Sequence, residues 1–186
     1  MDDSGLKAQL EQCHKESFGW ALSCCLGSLE EAETVLQTAY LKILERRARF
    51  GGRSTFKTWF FSVIRRTAVE HRRRQMLQRL MLTRYLRKAP SAVQQPAADE
   101  RIYSTQVQKA VRVTLSALSR RQREVLQLVF YHDLSLADAA KVMGVSLGSA
   151  RTHYERGKKR VRQWMDGSRI FNESRSRRRE NSTMVS

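Results

Sequence analysis

The segment Ser135-Leu-Ala-Asp-Ala-Ala-Lys-Val-Met-Gly-Val-Ser-Leu-Gly-Ser-Ala-Arg-Thr-His-Tyr-Glu-Arg156 decides the fold of this chain. Apolar residues recur through its first half at helical spacing, and Gly144 tolerates the backbone of a tight turn. Ser146 can cap a second helix, whose apolar stripe comprises Leu147, Ala150, Tyr154, Val161 and Trp164. Two short helices joined in this way predict a helix-turn-helix, in which the second helix enters a DNA major groove.

The composition favours an all-α protein that binds a polyanion. The chain has 186 residues, of which two are proline and nine glycine, so helix breakers are few. Lys and Arg number 35 against 18 Asp and Glu, a formal charge of +17. Nucleic acid is the usual partner of such an excess, with a membrane surface as the competing polyanion. No apolar run of about 18 residues or more is present, so we expect no membrane insertion.

Composition also divides the chain. The segment 89–98 holds both prolines and no charged residue, which is typical of a linker. We therefore expect two small helical domains, at 1–88 and 100–166, joined by a flexible linker at 89–99. The basic tail at 167–186 is predicted to be disordered. The acidic start of the chain carries no apolar secretory segment, which predicts a cytoplasmic protein.

The first domain is expected to contain three helices. One runs from Gly5 to Leu26, and a second begins at a capping box, Ser28 to Glu31, and ends near Arg46 or Arg47. A third starts around Thr55, and its buried side comprises Phe56, Trp59, Phe60, Val63, Ile64, Thr67 and Ala68. Phe61 lies outside this stripe. It is predicted either to stack on an unpaired base or to pack on a neighbouring helix.

In the second domain, a helix through Ile102, Val107, Val111 and Leu115 is expected first. Capping boxes are predicted at Ser119–Gln122 and at Ser135–Asp138. The helix that follows the first box should turn four apolar residues inward: Val125, Leu126, Val129 and Phe130.

No catalytic or metal-binding pattern is evident. Cys13, Cys24 and Cys25 lack the paired spacing of structural zinc sites, so small buried apolar residues are the favoured interpretation. The four histidines are scattered, and the motifs of metalloproteases, serine hydrolases and nucleotide-binding loops are missing. We expect no enzyme activity, no cofactor and no metal.

The last helix carries its polar side chains opposite the apolar stripe. Arginine can hold guanine with two hydrogen bonds, threonine can contact a thymine methyl group, and glutamate can accept from cytosine. Arg151, Thr152, Glu155 and Arg156 are the predicted base readers, and Lys158, Lys159 and Arg160 the predicted phosphate contacts. The alternative is an ordinary solvated helix face. The capped pair of helices favours DNA binding over that alternative.

Two further motifs extend this interpretation to most of the chain, from about Leu6 to Trp164. They are Phe50-Gly-Gly-Arg-Ser-Thr-Phe-Lys-Thr-Trp59 and Leu118-Ser-Arg-Arg-Gln-Arg-Glu-Val-Leu126, which lie on either side of the linker. With the helix-turn-helix they resemble the bacterial sigma factors of the extracytoplasmic-function group. Members of that family have two helical domains and confer promoter choice on RNA polymerase. A cytoplasmic, nucleoid-associated location is implied.

The resemblance implies three sets of contact residues. The helix over 29–44 would dock on the clamp of core RNA polymerase through Glu31, Glu33, Leu36, Gln37 and Tyr40. The −10 element of promoter DNA would be captured by Arg53, Ser54, Thr55, Lys57, Phe61, Arg65, Arg66 and Glu70. The −35 element would be read by Ser149, Arg151, Thr152, Glu155, Arg156 and Lys159. An anti-sigma protein is a further implied partner.

The chain departs from the family pattern at four positions. Thr34 and Thr38 stand where acidic residues are usual, and Arg66 and Glu70 where Asn and Asp are frequent. The resemblance therefore leaves the strength of polymerase binding open and implies an unusual −10 preference. A conventional helix-turn-helix regulator, binding an operator as a dimer without polymerase, is the alternative function.

Overall fold

A computed structural model of the chain describes residues 3–86 and 118–167, with side chains at 5–82 and 118–166. Within these ranges the chain forms seven helices and no strand, which confirms the all-α prediction. The helices are α1 (Asp3–Gln12), α2 (His14–Cys24), α3 (Leu29–Leu44), α4 (Phe56–Leu86), α5 (Arg120–Phe130), α6 (Leu136–Met143) and α7 (Leu147–Gly167).

The helices belong to two compact units. The first unit contains α1 to α4, and the second contains α5, α7 and the greater part of α6. The predicted linker at 89–99, the predicted helix through Ile102 and Leu115, and the tail beyond Gly167 lie outside the described residues.

The first predicted helix is two helices, separated at Cys13. The backbone bonds from Cys13 N to Gln9 O and from Ser17 N to Cys13 O are kept, at 3.2 and 2.9 Å. However, the Ser17 hydroxyl donates to the His14 carbonyl at 2.7 Å. Such a local bond competes with the helix ladder in the first turn of α2. The helix pair ends in two left-handed residues, Leu26 at φ 58° and Gly27 at φ 93°.

The core of the first unit lies where α2 and α3 both pack on α4. Trp20 and Phe61 are fully buried there, and their rings stack with centroids 5.9 Å apart. The indole Nε1 of Trp20 also donates to the Phe61 carbonyl at 3.0 Å. Phe61 is therefore a core residue, and the prediction that it is exposed for stacking on a base is wrong. Its alternative, packing on a neighbouring helix, is what the structure contains.

Helix α3 begins as predicted, at Ser28, whose hydroxyl accepts from the backbone N–H of Glu31 at 3.3 Å. The second half of the predicted capping box differs, since Glu31 Oε1 accepts from Gln75 Nε2 of α4 at 3.1 Å. The helix ends at Leu44, slightly before the predicted end.

Helix α4 has 31 residues, and only its first half packs on the core. Thr55 caps it, because its hydroxyl accepts from the backbone N–H of Thr58 at 3.2 Å. In its second half five apolar side chains are 55–65 % exposed: Met76, Leu77, Leu80, Met81 and Leu82. We call these five residues the apolar row.

In the second unit, α5 starts with the predicted capping box. Ser119 accepts from the backbone N–H of Gln122, and the Gln122 side chain accepts from the backbone N–H of Ser119. Val125 and Leu128 are fully buried, but Phe130 is 64 % exposed, so its predicted inward position is wrong. Leu128 takes the core position, because it lies three residues after Val125 on the side of α5 that faces the core.

The remaining caps of the helix-turn-helix are confirmed. The Ser135 hydroxyl accepts from the backbone N–H of Asp138 at 3.1 Å and donates to its carboxylate at 2.6 Å. Gly144 has the predicted left-handed backbone, at φ 64°. Ser146 accepts from the backbone N–H of Ser149 at 3.1 Å and so starts α7.

Among the described residues, no helix combines the length and hydrophobicity needed to cross a bilayer. The same part of the chain contains no cluster of His, Cys, Asp and Glu suited to a metal ion. All three cysteines are free thiols. Cys24 and Cys25 are buried, as the sequence predicts, and Cys13 is partly exposed.

Candidate nucleic-acid interface

The polar face of α7 begins at its Ser146 cap. All six residues predicted to meet the −35 element are exposed there, on one helix: Ser149, Arg151, Thr152, Glu155, Arg156 and Lys159. The opposite face contains the buried residues Ala150 and Gly157, and α7 packs on α5. The six side chains therefore share one exposed surface of α7, and we call them the reading face.

Local bonds hold parts of the reading face. The Thr152 hydroxyl donates to the Gly148 carbonyl at 3.0 Å, which leaves its methyl group and an oxygen lone pair for contacts. Glu155 forms an ion pair with Lys158 at 3.1 Å. The Lys158 ammonium also lies 4.5 Å from the centroid of the Tyr154 ring. Lys158 is thus directed along the helix surface, whereas Lys159 is exposed.

The loop before α4 carries the second set of predicted DNA contacts. Arg53 and Thr55 are exposed, and Ser54 is half-buried. Gly52 has a left-handed backbone at φ 69°, which lets the loop turn. Lys57, in the first turn of α4, is half-buried and forms an ion pair with Glu16 at 2.5 Å.

Further along α4, one predicted DNA contact is exposed and another is buried. Arg66 is exposed, and its guanidinium donates to the Ser62 carbonyl at 3.3 Å and to the Ser62 hydroxyl at 3.1 Å. Arg65, by contrast, is only 9 % exposed, so its predicted surface position is wrong. Phe61 is also buried and is therefore excluded as a DNA contact. Both residues are buried because α4 packs on two helices, which widens its buried arc beyond one stripe.

Glu70 is exposed, but it has a protein partner. Lys42 of α3 donates to its carboxylate at 2.6 Å and to the Thr67 hydroxyl at 3.2 Å. The sequence interpretation missed Lys42. No local pattern reveals this contact, since the two partners are 28 residues apart.

The predicted polymerase contacts on α3 also include both exposed and buried side chains. Glu33 and Gln37 are exposed, whereas Glu31 is half-buried and bonded to Gln75. Leu36 is 4 % exposed, so the prediction that it contacts a partner is wrong. It lies on the apolar stripe that faces the core.

Tyr40 and the two threonines of α3 also have internal partners. The Tyr40 hydroxyl lies 2.9 Å from His14 Nδ1, and burial raises the pKa of Tyr40. The hydroxyls of Thr34 and Thr38 donate to the carbonyls of Glu30 and Thr34, at 2.9 and 2.7 Å. At the two positions where the family pattern has acidic residues, the side-chain hydroxyls therefore bond to the backbone of their own helix.

Burial raises the pKa of two cysteine thiols in the first unit. The pKa of Cys25 is raised to about 11, first by burial and then by the carboxylate of Glu31, with Arg72 opposing. The pKa of Cys13 is also raised, chiefly by burial. Arg72 approaches the same place through a bond of 2.5 Å to the Cys24 carbonyl.

Comparisons with known proteins agree with this geometry. The family model "Sigma-70 region 2" matches residues 10–78, and "Sigma-70, region 4" matches residues 108–161. The chain is 29 % identical over 138 residues to the ECF RNA polymerase sigma factor SigX of Bacillus subtilis, covering 73 % of this chain and 71 % of SigX. It is 26 % identical over 145 residues to the ECF RNA polymerase sigma factor SigC of Mycobacterium tuberculosis, covering 75 % of this chain and 72 % of SigC.

Solved structures share the fold. The sigma factor RpoE of Bartonella quintana, in complex with the anti-sigma factor NepR, matches with a TM-score of 0.62 at 23 % identity. That match covers 89 % of this chain and 99 % of RpoE. The two region matches follow each other in chain order, and the second contains the reading face. The chain therefore belongs to the sigma-70 family, as a sigma factor of the extracytoplasmic-function group that directs promoter-specific transcription by RNA polymerase.

Proposed function

We propose that the first unit captures the −10 element while the second unit reads the −35 element, with core RNA polymerase holding both. The observation that carries the proposal is the exposure of all six reading-face residues on the solvent side of a capped helix. The corresponding domains are residues 1–88 and 100–166, joined by the segment 89–99.

The reading face supplies the chemistry for both kinds of DNA contact. Arg151 and Arg156 present guanidinium groups that can bond guanine through two hydrogen bonds, and Glu155 can accept from cytosine. Thr152 offers its methyl group to a thymine. Lys159 lies one turn further along the helix, where contact with a phosphate positions the protein without reading sequence.

The −10 element is assigned to the loop 50–55 and the exposed side of α4. Arg53, Thr55 and Arg66 are the exposed donors there, and Glu70 is the acceptor beside Lys42. Opening a duplex has an unstacking cost of a few kcal/mol per flipped base, which these contacts must offset. The buried side chains Phe61 and Arg65 take no part.

Polymerase binding is assigned to the exposed side of α3, with Glu33 and Gln37 as its polar contacts. Since the structural neighbour RpoE is in a complex with the anti-sigma factor NepR, we extend that partner class to this chain. The protein acts without catalysis of its own, in the cytoplasm, where the polymerase and the nucleoid are found.

Run-off transcription with core RNA polymerase tests the proposal. Templates are first selected from fragments of a genome, and transcripts are compared with and without the protein. We expect specific initiation only when both are present, and its loss in the double variant Arg151→Ala, Arg156→Ala. Lys141→Ala, which removes an exposed charge from α6, is the control.

The alternative function makes the opposite prediction. A conventional regulator would bind duplex DNA tightly without polymerase, as a dimer on a palindrome. Tight duplex binding by the free protein, with no stimulation of core polymerase on any template, would exclude the proposed function.

A further inference from the structure

A polar bridge joins the last turn of α3 to the middle of α4. Lys42 of α3 donates to the Glu70 carboxylate at 2.6 Å and to the Thr67 hydroxyl at 3.2 Å. Thr67 is only 2 % exposed, so it anchors the ammonium group from the protein side. Two of the three N–H groups of Lys42 are therefore used within the protein. We call Lys42, Thr67 and Glu70 the α3–α4 bridge.

The α3–α4 bridge lies on the surface assigned to the −10 element. Glu70 is exposed and lies one turn after Arg66, on the same side of α4. The Arg66 guanidinium donates to Ser62, whereas the Glu70 carboxylate accepts from Lys42 of the neighbouring helix. The orientation of the Glu70 carboxylate thus depends on a residue of α3.

Stability alone does not account for the α3–α4 bridge. The side chains of Lys42 and Glu70 are 21 % and 50 % exposed. Ion pairs that are open to water contribute little to the free energy of unfolding, because water screens them and two long side chains lose conformational freedom. Beside DNA the same pair has a use, since a carboxylate is repelled by phosphates and a neighbouring cation offsets that repulsion.

The bridge also limits the bases that the carboxylate can contact. An ionised carboxylate only accepts hydrogen bonds, and the bond from Lys42 to Oε2 leaves Oε1 of Glu70 for a base. On their major-groove edges cytosine and adenine carry an amino group, whereas guanine and thymine carry only acceptors. A carboxylate that is fixed at this place therefore suits cytosine or adenine.

We propose that Lys42 is a positioning residue, which fixes the Glu70 carboxylate so that it selects cytosine or adenine at one position of the −10 element. Lys42 acts through Glu70 and not by its own contact with DNA. This inference rests on the proposed function. It adds the class of base that α4 selects and the residue of α3 on which the selection depends.

Competition binding tests the inference. The full chain is bound to core RNA polymerase, and promoter fragments selected by run-off transcription are substituted one base at a time across the −10 element. At one position the wild-type protein should favour cytosine and adenine over guanine and thymine by about tenfold, as expected for one base contact. Glu70→Ala should remove the preference at this position and leave the preferences at other positions.

Lys42→Met should remove the same preference although Glu70 is still present, because the carboxylate is no longer fixed. Methionine keeps the packing of the aliphatic stem, so the unfolding temperature should stay close to that of the wild type. Lys42→Arg keeps a charged donor and should retain the preference. A direct contact of Lys42 with phosphate predicts a different result for Lys42→Met, an equal loss on all sequences with the preference intact, and that result would overturn the inference.

Arg47→Met is the matched control. Arg47 follows the end of α3 and is also ion-paired, but its partner is Glu45 of the same segment. We expect this variant to keep the preference for cytosine and adenine. Loss of that preference in Arg47→Met as well as in Lys42→Met would mean a general effect of charge and would contradict the role of Lys42.

An exchange of the two charges gives the sharpest test. The double variant Lys42→Glu, Glu70→Lys places a donor on α4 and its acidic partner on α3. Since a lysine donates to the oxygens of guanine or thymine, the preference at the same position should change to these two bases. Retained preference for cytosine or adenine, or no preference for guanine or thymine, would contradict the inference.

Failure of the inference is distinct from failure of the proposed function. If the protein directs initiation with core polymerase but Glu70→Ala removes no base preference, only the role of the α3–α4 bridge is wrong. If no template is transcribed in the presence of the protein, the proposed function itself is contradicted, and the inference with it.

Discussion

Gly157 lies directly against Leu126, so that a β-carbon built at position 157 would be 3.0 Å from Leu126 Cδ1 and 3.2 Å from Cγ. This contact sets the distance between α5 and α7, and α7 carries the reading face on its other side. A larger residue at position 157 would push the two helices apart or force Leu126 out of its rotamer.

Gly157→Ala is therefore predicted to destabilise the second unit. Alanine gains up to about 1 kcal/mol of helix propensity over glycine. Crowding a packed core costs about 1–3 kcal/mol, which outweighs that gain. We expect a lower unfolding temperature by calorimetry. Gly148→Ala is the control in the same helix, because its β-carbon would meet only Ser146 Oγ, at 3.9 Å. Equal stability of the two variants would contradict the prediction.

Phe61→Ala is predicted to lower the free energy of unfolding by about 3–5 kcal/mol, as for other large buried aromatic residues. It removes the ring that stacks on Trp20. Urea unfolding followed by circular dichroism measures the effect. Phe130→Ala, at an aromatic residue that is 64 % exposed, should cost less than about 1 kcal/mol. Unchanged stability of Phe61→Ala, with reduced single-strand affinity, would restore the base-stacking role.

Arg151→Ala is predicted to reduce discrimination at one base of the −35 element by about 1–3 kcal/mol. Lys159→Ala should weaken binding to all sequences alike, because a phosphate contact carries no sequence information. Competition binding of the polymerase complex to promoter duplexes, mutated one base pair at a time, distinguishes the two effects. Parallel losses on specific and random DNA for both variants would show that the reading face is misassigned.

Cys25 predicts a loss of stability at alkaline pH. Its pKa is about 11 in the folded chain and near 9.0 in the unfolded chain, so folding favours the protonated thiol. Below pH 9 this contribution is complete, and it is lost as the pH rises from about 9 to about 11. We expect the wild-type protein to lose stability relative to Cys25→Ala over this window, measured by urea unfolding. A constant difference between the two proteins from pH 8 to pH 11 would contradict the raised pKa of Cys25.

Local signals in the sequence predicted the caps correctly, because a capping serine needs only its neighbours within one turn. Ser119, Ser135 and Ser146 all begin helices as expected. The errors at Phe61 and Arg65 have a non-local cause. A single apolar stripe describes a helix that packs on one partner, whereas α4 packs on both α2 and α3.

Gly157 was not identified from the sequence as a helix contact, although its position indicates one. It lies three residues after Tyr154 and four before Val161, on the inward stripe of α7. A glycine at such a position in a helix indicates close approach of a neighbour. The pairing of Lys42 with Glu70, and that of Glu31 with Gln75, had no such signal, because these contacts join different helices.

The apolar row on the second half of α4 has a practical consequence for biophysical work. Hydrophobic fluorescent dyes such as anilinonaphthalene sulfonate bind contiguous exposed apolar side chains, and their sulfonate group would also meet the neighbouring Arg73 and Arg74. The native protein should therefore be fluorescent with such a dye before any heating. Dye-based melting curves would start from a high baseline and fall, so label-free detection suits this protein better.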